Sequence, residues 1–76
     1  MEKIKKIIAD TFQIKESEIT LQVKMEDIDS WDSLTHMELV MSLEEEFGIE
    51  FTSDEIMEMT NVEKIVKIVG EKTDGN

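Results

Sequence analysis

The sequence has no cysteine, no tyrosine and no arginine. Without cysteine, a disulfide framework and a thiolate zinc site are both excluded. The absence is consistent with a reducing compartment. No apolar run approaches the roughly 20 residues that span a bilayer, so no transmembrane helix is expected. The stretch from Met1 to Ile8 carries lysines but lacks a long apolar region and a small-residue cleavage site, so it is not read as a signal peptide. The default location is the cytoplasm. Positive charge is scarce: eight lysines face nineteen Asp and Glu, a net charge of −11. Nucleic acid is an unsuitable partner, because phosphate contacts need clustered cations. An acidic surface steers basic surfaces toward it, although acidity also simply keeps a small protein soluble. With 76 residues the chain makes one domain, 1–76, expected to act as a monomer. A chain of this size buries only about 60% of its unfolded surface and has little room for an enclosed active site beside a core. Carrying, binding or presenting something suits it better than catalysis.

Hydrophobic spacing supplies the elements. Ile4, Ile7, Ile8 and Phe12 fall at i, i+3, i+4 and i+8, which predicts a helix over Glu2–Phe12 with Lys3, Lys5 and Lys6 on its wet side. Gln13 to Asp32 is long and mostly polar. Ile14, Ile19, Leu21, Val23, Met25 and Ile28 punctuate it without sustained period, which predicts a loop pinned against the helices rather than a free one. Glu16-Ser17-Glu18 reads as a short turn. A second helix is predicted from Ser33 to Gly48, with Asp32 or Ser33 as N-cap and Gly48 as the stop.

At about 100° per residue, this second helix has two apolar sides. Leu39, Val40, Leu43 and Phe47 gather on a core face. Leu34 and Met41 fall opposite, beside Glu38 and Glu45, with Met37 between the two sets. Ile49-Glu50-Phe51 has no second strand to pair with and reads as a buried connection. Ser53 is expected to cap a short helix through Met59. A fourth helix follows Asn61, with Val62, Ile65, Val66 and Val69 at helical spacing. Its β-branched residues favour strand by propensity, but packing often overrides propensity. Residues 70–76 read as a flexible tail. The expected fold is all-α: a small four-helix bundle of three longer helices and one short one, with a long loop between helices 1 and 2.

Asp32-Ser33-Leu34 marks the candidate site. An exposed hydroxyl at the positive end of a helix dipole accommodates phosphate well. Taken alone, the same residues are an ordinary N-cap. The triplet is followed in step by Glu38-Leu39-Val40-Met41 and Leu43-Glu44-Glu45-Glu46-Phe47. Lys6-Ile7-Ile8 lies ahead of it, and the acidic short helix at Asp54 and Glu55 behind. Over nearly its whole length the sequence resembles the acyl carrier proteins, the phosphopantetheine carriers.

The resemblance implies that Ser33 is the attachment residue for 4'-phosphopantetheine, transferred from coenzyme A by a carrier protein synthase (a phosphopantetheinyl transferase). The arm's terminal thiol then holds an acyl group as a thioester, so a cysteine-free protein imports its sulfur. Asp32 resembles the residue that helps hold magnesium in that reaction; the carrier has no metal site and no catalytic residues of its own. The resemblance further implies docking on basic patches of acyl-loading and acyl-processing enzymes. Leu34 and Met41 would give apolar contact, and Glu38, Glu44, Glu45, Asp54 and Glu55 charge. Glu46 falls off this ridge and reads as a solvated position. Two residues depart from the common pattern. Trp31, preceded by Ser30, stands where small residues are usual and reads as packing over the loop rather than touching cargo. His36 stands where an acidic residue is common and is assigned no chemistry. Trp-Asp-Ser-Leu looks more like a discrete carrier of a specialised pathway than a housekeeping fatty-acid carrier.

Apolar cargo would sit between the helices, against Leu39, Val40, Phe47, Ile56, Met59 and Val66; in the unloaded protein these read as plain core. An aminoacyl or peptidyl carrier shares the arm chemistry, but such domains usually lack this acidic second helix. Two readings come from other classes. Asp27, Asp29 and Glu38 fit positions 1, 3 and 12 of an EF-hand loop, but Trp31 and Asp32 occupy positions 5 and 6, where an oxygen ligand and glycine belong. An unmodified adaptor would use only the ridge and would tolerate loss of the Ser33 hydroxyl.

Overall fold

A computed structural model describes residues 2–74 of the chain. Four α-helices form: α1 Glu2–Phe12, α2 Ser33–Phe47, α3 Ser53–Glu58 and α4 Val62–Asp74. Among the described residues there is no strand, only an isolated bridge between Lys24 and Asn61. No helix is long and apolar enough to cross a membrane.

One core holds the helices together. Ile4, Ile8, Ala9 and Phe12 enter it from α1, Leu39, Val40 and Leu43 from α2, and Val62, Ile65, Ile68 and Val69 from α4. The helical spacing in α4 therefore prevails over its β-branched content, because packing four residues into the shared core outweighs tenths of a kcal/mol in propensity. Phe51, in the connection between α2 and α3, is buried and Ile49 half-buried, while Glu50 is exposed, so the connection is buried at its apolar residues only.

The ends of the elements follow from local chemistry. Gln13 adopts a left-handed φ of 58°, and the Ile14 amide donates back to the Ala9 carbonyl at 3.0 Å, closing α1. Gly48 does the same for α2 at φ 64°, with the Ile49 amide reaching the Glu44 carbonyl. The cap of α3 is Thr52 rather than Ser53. Its hydroxyl accepts from the Glu55 amide, while the Glu55 carboxylate accepts from the Thr52 amide at 2.8 Å. This reciprocal pair is written in Thr52-Ser53-Asp54-Glu55 as a capping box. Asn61 caps α4 through the Lys64 amide at 2.8 Å.

The long loop is pinned, as its scattered apolar residues require. Ile19 is buried, and Ile14, Val23, Met25 and Ile28 are half-buried against the core. Leu21 departs from that pattern and is exposed. Two 3₁₀ turns stiffen the loop, at Glu16–Glu18 and Met25–Asp27. In each, the last acid accepts from the backbone N–H just ahead of the turn: Glu18 from Lys15, and Asp27 from Lys24. The Met25 amide donates to the Thr60 carbonyl at 2.8 Å, and the Val62 amide to the Val23 carbonyl at 3.0 Å. These bonds staple the loop to the junction of α3 and α4. The Ser30 hydroxyl donates to the Phe12 carbonyl at 2.9 Å and satisfies an orphan acceptor at the end of α1.

The expected tail from Gly70 is replaced by helix through Asp74. The last turns are held by side chains that spacing does not reveal. Lys72 pairs with Glu55 at 2.9 Å and lies over the Phe51 ring, and the Thr73 hydroxyl donates to the Val69 carbonyl. Of the expected tail, only residues 75 and 76 lie outside the described part of the chain.

Candidate functional site

The loop delivers the chain to α2 through Ser30, Trp31 and Asp32. Trp31 is buried at 4% exposure, with its indole stacked on Phe12 at 4.8 Å between centroids. An indole in such a place buries a large apolar area while its N–H seeks an acceptor. Nδ1 of His36 accepts that N–H at 3.0 Å. Trp31 thus acts in packing, and it fixes where the next two residues stand.

Asp32 is the N-cap of α2. Its Oδ1 accepts from the Thr35 amide at 3.0 Å, and its own amide donates to the Thr35 hydroxyl at 2.8 Å. The Thr35 hydroxyl also donates to the Ser30 carbonyl at 2.6 Å. The Thr35 amide above all, and the Leu34 amide with it, hold the Asp32 carboxyl below its ordinary value of 3.8. Desolvation opposes this without reversing it. With a depressed folded value, the cap's contribution is complete above the unfolded aspartate value and is lost as pH falls through the folded one. The stability gap between the parent and Asp32→Ala should therefore be widest at neutral pH and shrink as pH drops below 3.8. Urea midpoints at several pH values measure it. A gap equally wide in strong acid would contradict an ionised cap.

Ser33 is the first residue of α2 and is exposed. Among the described residues its hydroxyl has no hydrogen-bond partner, in contrast to Ser30, whose hydroxyl is committed to Phe12. Asp32 rather than Ser33 does the capping, so the Ser33 hydroxyl is left available at the positive end of the helix.

Leu34 is 72% exposed and Met41 55%, with Glu38 and Glu45 exposed on the same helix. The wet apolar side of α2 is therefore real. Met57 on α3 is also exposed, at 75%, and spacing does not point to it, since a six-residue helix shows no period. Asp54 is exposed. Two of the expected charges are otherwise engaged. Oε2 of Glu44 accepts from the Phe51 amide at 3.0 Å. Glu55 is held by Thr52 and Lys72, which lower its carboxyl from its ordinary value. Glu46 pairs with Lys3 at 3.1 Å.

Leu39, Val40 and Met59 are fully buried, and Phe47, Ile56 and Val66 are half-buried against them, as plain core requires. A cleft of about 560 Å³ lies on another side, between the end of α1 and the loop, lined by Phe12, Ile14, Val23 and Ile28 among others. Among the described residues no three acidic or histidine side chains are grouped to hold a metal ion. The EF-hand spacing of Asp27, Asp29 and Glu38 is not gathered in space, and Asp27 is spent on the Lys24 amide.

Comparison with known proteins bears on this geometry. The family described as "Phosphopantetheine attachment site" matches residues 2–69. The chain is 38% identical over 71 residues to the acyl carrier protein of Petrotoga mobilis, covering 93% of this chain and 84% of that one. Its fold superposes on the solution NMR structure of a holo acyl carrier protein from Geobacter metallireducens with a TM-score of 0.86. That match has 32% identity and covers 96% of this chain and 84% of the other.

Proposed function

This chain belongs to the acyl carrier proteins, within the phosphopantetheine-attachment family, and we propose that Ser33 is the residue that takes the arm. Such proteins are carriers and not enzymes, and their cofactor is covalent 4'-phosphopantetheine, which supplies a thiol for thioester formation. The observation that carries the assignment to Ser33 is its free, exposed hydroxyl opening α2, beside an aspartate that already caps the helix. A phosphodiester there adds negative charge where the helix dipole is positive and where the first amides are partly served.

In the loading step the Ser33 oxygen bonds to the β-phosphorus of coenzyme A, and the bond to the bridging oxygen breaks. Adenosine 3',5'-bisphosphate departs, and the hydroxyl proton passes to a base of the transferase. Asp32 is exposed and ionised at neutral pH, so it is placed to help hold the transferase's magnesium.

The family is served by a phosphopantetheinyl transferase and by acyl-processing enzymes. For this chain we assign their docking to the exposed side of α2, with Leu34 and Met41 as apolar contacts and Glu38 and Glu45 as charges. Asp54 adds charge from α3. Glu44 and Glu55 contribute only what remains beyond their internal bonds. Exposed charge pairs speed encounter and set orientation but add little affinity. Weak, fast, salt-sensitive docking suits a carrier that must visit several enzymes and leave. The site of action that fits this reading is the cytoplasm, with the protein acting as a monomeric unit.

Intact mass after incubation with coenzyme A, magnesium and a broad-specificity transferase tests the proposal; the expected result is one phosphopantetheinyl addition per chain. Glu38→Lys combined with Glu45→Lys should slow loading at low ionic strength and flatten its salt dependence. A parent chain that never gains the mass would overturn the reading. Unchanged salt dependence in the double variant would remove the docking face from it.

A further inference from the structure

α3 is the most lightly anchored helix. None of its residues is fully buried, Ile56 is half-buried, and Met57 faces water. Side chains from its neighbours strap it down. Lys72 of α4 reaches Glu55, and His36 of α2 reaches the backbone, with Nε2 2.8 Å from the Ile56 carbonyl oxygen. On the other edge of the imidazole, Nδ1 lies 3.0 Å from the Trp31 indole nitrogen.

These two contacts dictate the proton's place. A carbonyl only accepts, so Nε2 must carry the hydrogen. An indole N–H only donates, so Nδ1 must offer a lone pair. One neutral tautomer satisfies both. An Nδ1–H ring or an imidazolium would set N–H against N–H at the tryptophan. The imidazole also stacks near the indole, 22° from parallel with centroids 6.1 Å apart. The indole in turn stacks on Phe12. A continuous chain of contacts therefore runs from α1 through Trp31 and His36 to the backbone of α3. It passes within a turn of Ser33.

We propose that His36 is a positioning residue for the carrier site: its Nε2–H tautomer ties α3 to the Ser33 end of α2 and holds the two helices as one face. The proposal rests on the reading of Ser33 and of a docking face that spans α2 and α3. A partner that grips both helices binds only molecules with α3 in place, so its apparent affinity falls with that fraction. His36 is occupied by Trp31 and Ile56 and takes no part in phosphoryl transfer. Its loss should therefore act on KM and leave kcat alone.

Two variants separate the roles of the ring. His36→Phe keeps a flat ring against Trp31 and removes both hydrogen bonds. His36→Gln keeps a donor and an acceptor. Nitrogen NMR of the parent should report the Nε2–H tautomer. In His36→Phe, amide exchange at Ile56 and Met59 should accelerate while α1 amides stay protected. The KM for transferase loading should rise roughly five-fold, the factor that one net hydrogen bond supports, with kcat unchanged. His36→Gln should recover most of both effects. An Nδ1–H ring in the parent, or a His36→Phe protein with parent-like α3 exchange or KM, overturns the proposal. Failure of the Ser33 reading is seen separately, as a parent chain that gains no mass; the tautomer and the exchange rates then decide the role of His36.

Discussion

Ser33→Ala loses all phosphopantetheinyl loading while keeping its fold. Both halves of that expectation come from the local geometry. The Ser33 side chain is exposed and makes no hydrogen bond, so removing the hydroxyl opens no cavity and strands no buried partner. Asp32 and Thr35 remain to cap α2. Alanine is also a better helix former than serine. Melting temperature and circular dichroism should match the parent closely. Loading, by contrast, has no substitute nucleophile at the site. Ser30 is the nearest other serine, and its hydroxyl is turned to the Phe12 carbonyl. Ser42 lies further along α2, away from the helix's positive end. Intact mass should show no addition after exhaustive incubation, against complete conversion of the parent. Residual addition mapped to another serine would move the attachment point. A destabilised Ser33→Ala protein would show that the hydroxyl has a structural role.

Trp31→Ala should bring the domain close to unfolding. Replacing a buried large aromatic by alanine costs about 3–5 kcal/mol. A domain of this length has about 4–11 kcal/mol in total. Trp31 also supplies the stack on Phe12 and the donor to His36, so its loss leaves two neighbours without their partners. The melting temperature should fall by at least ~12 °C, since about 1 kcal/mol shifts it by about 4–8 °C in domains this small. Trp31→Phe keeps a ring against Phe12 and should lose less than half as much. Loading of Trp31→Ala should fall in proportion to its folded fraction and recover when an osmolyte restores folding. Loading that stays low in the refolded variant would mean that Trp31 touches a partner. A melting temperature near the parent's would contradict its packing role.

Much of this architecture was legible because the signals were local. α1 and α2 carry periodic faces long enough to define a helix, and α2 has its cap and stop chemistry adjacent, at Asp32 and Gly48. The opposed apolar side of α2 followed from angle alone: Leu34 and Met41 lie roughly half a turn from Leu43. α3 was harder. It has six residues and no period, and only the Glu three residues after Thr52, the partner of its capping box, separates Thr52 from Ser53 as the cap. The end of α4 is not legible in the sequence, because Gly70 weakens a helix by about 1 kcal/mol relative to alanine and so suggests a stop. Here Lys72 and Thr73 bond beyond it and carry the helix on.

The candidate site divides in the same way. Asp32-Ser33-Leu34 could be placed at a helix start from spacing and capping rules. Which of Asp32 and Ser33 spends its oxygen on the cap could not, because both accept equally well. The fates of Glu44 and Glu55 were hidden too. Each is a surface acid by sequence, and each bonds to a group that only the turn before α3 or the end of α4 brings near. His36 offered no pattern at all, since its partners lie five and twenty residues away on different elements.

The sequence by itself determined the helical periods, the acidic balance, the absence of sulfur nucleophiles and the hydroxyl at the head of α2. Each of these is a property of neighbours along the chain, governed by backbone geometry and side-chain type. Only the tertiary structure decided which carboxylates face water, how far α4 extends, and that one imidazole joins three segments. Those outcomes depend on distances between residues remote in sequence, where hydrogen bonds weaken steeply once donor and acceptor drift from good geometry.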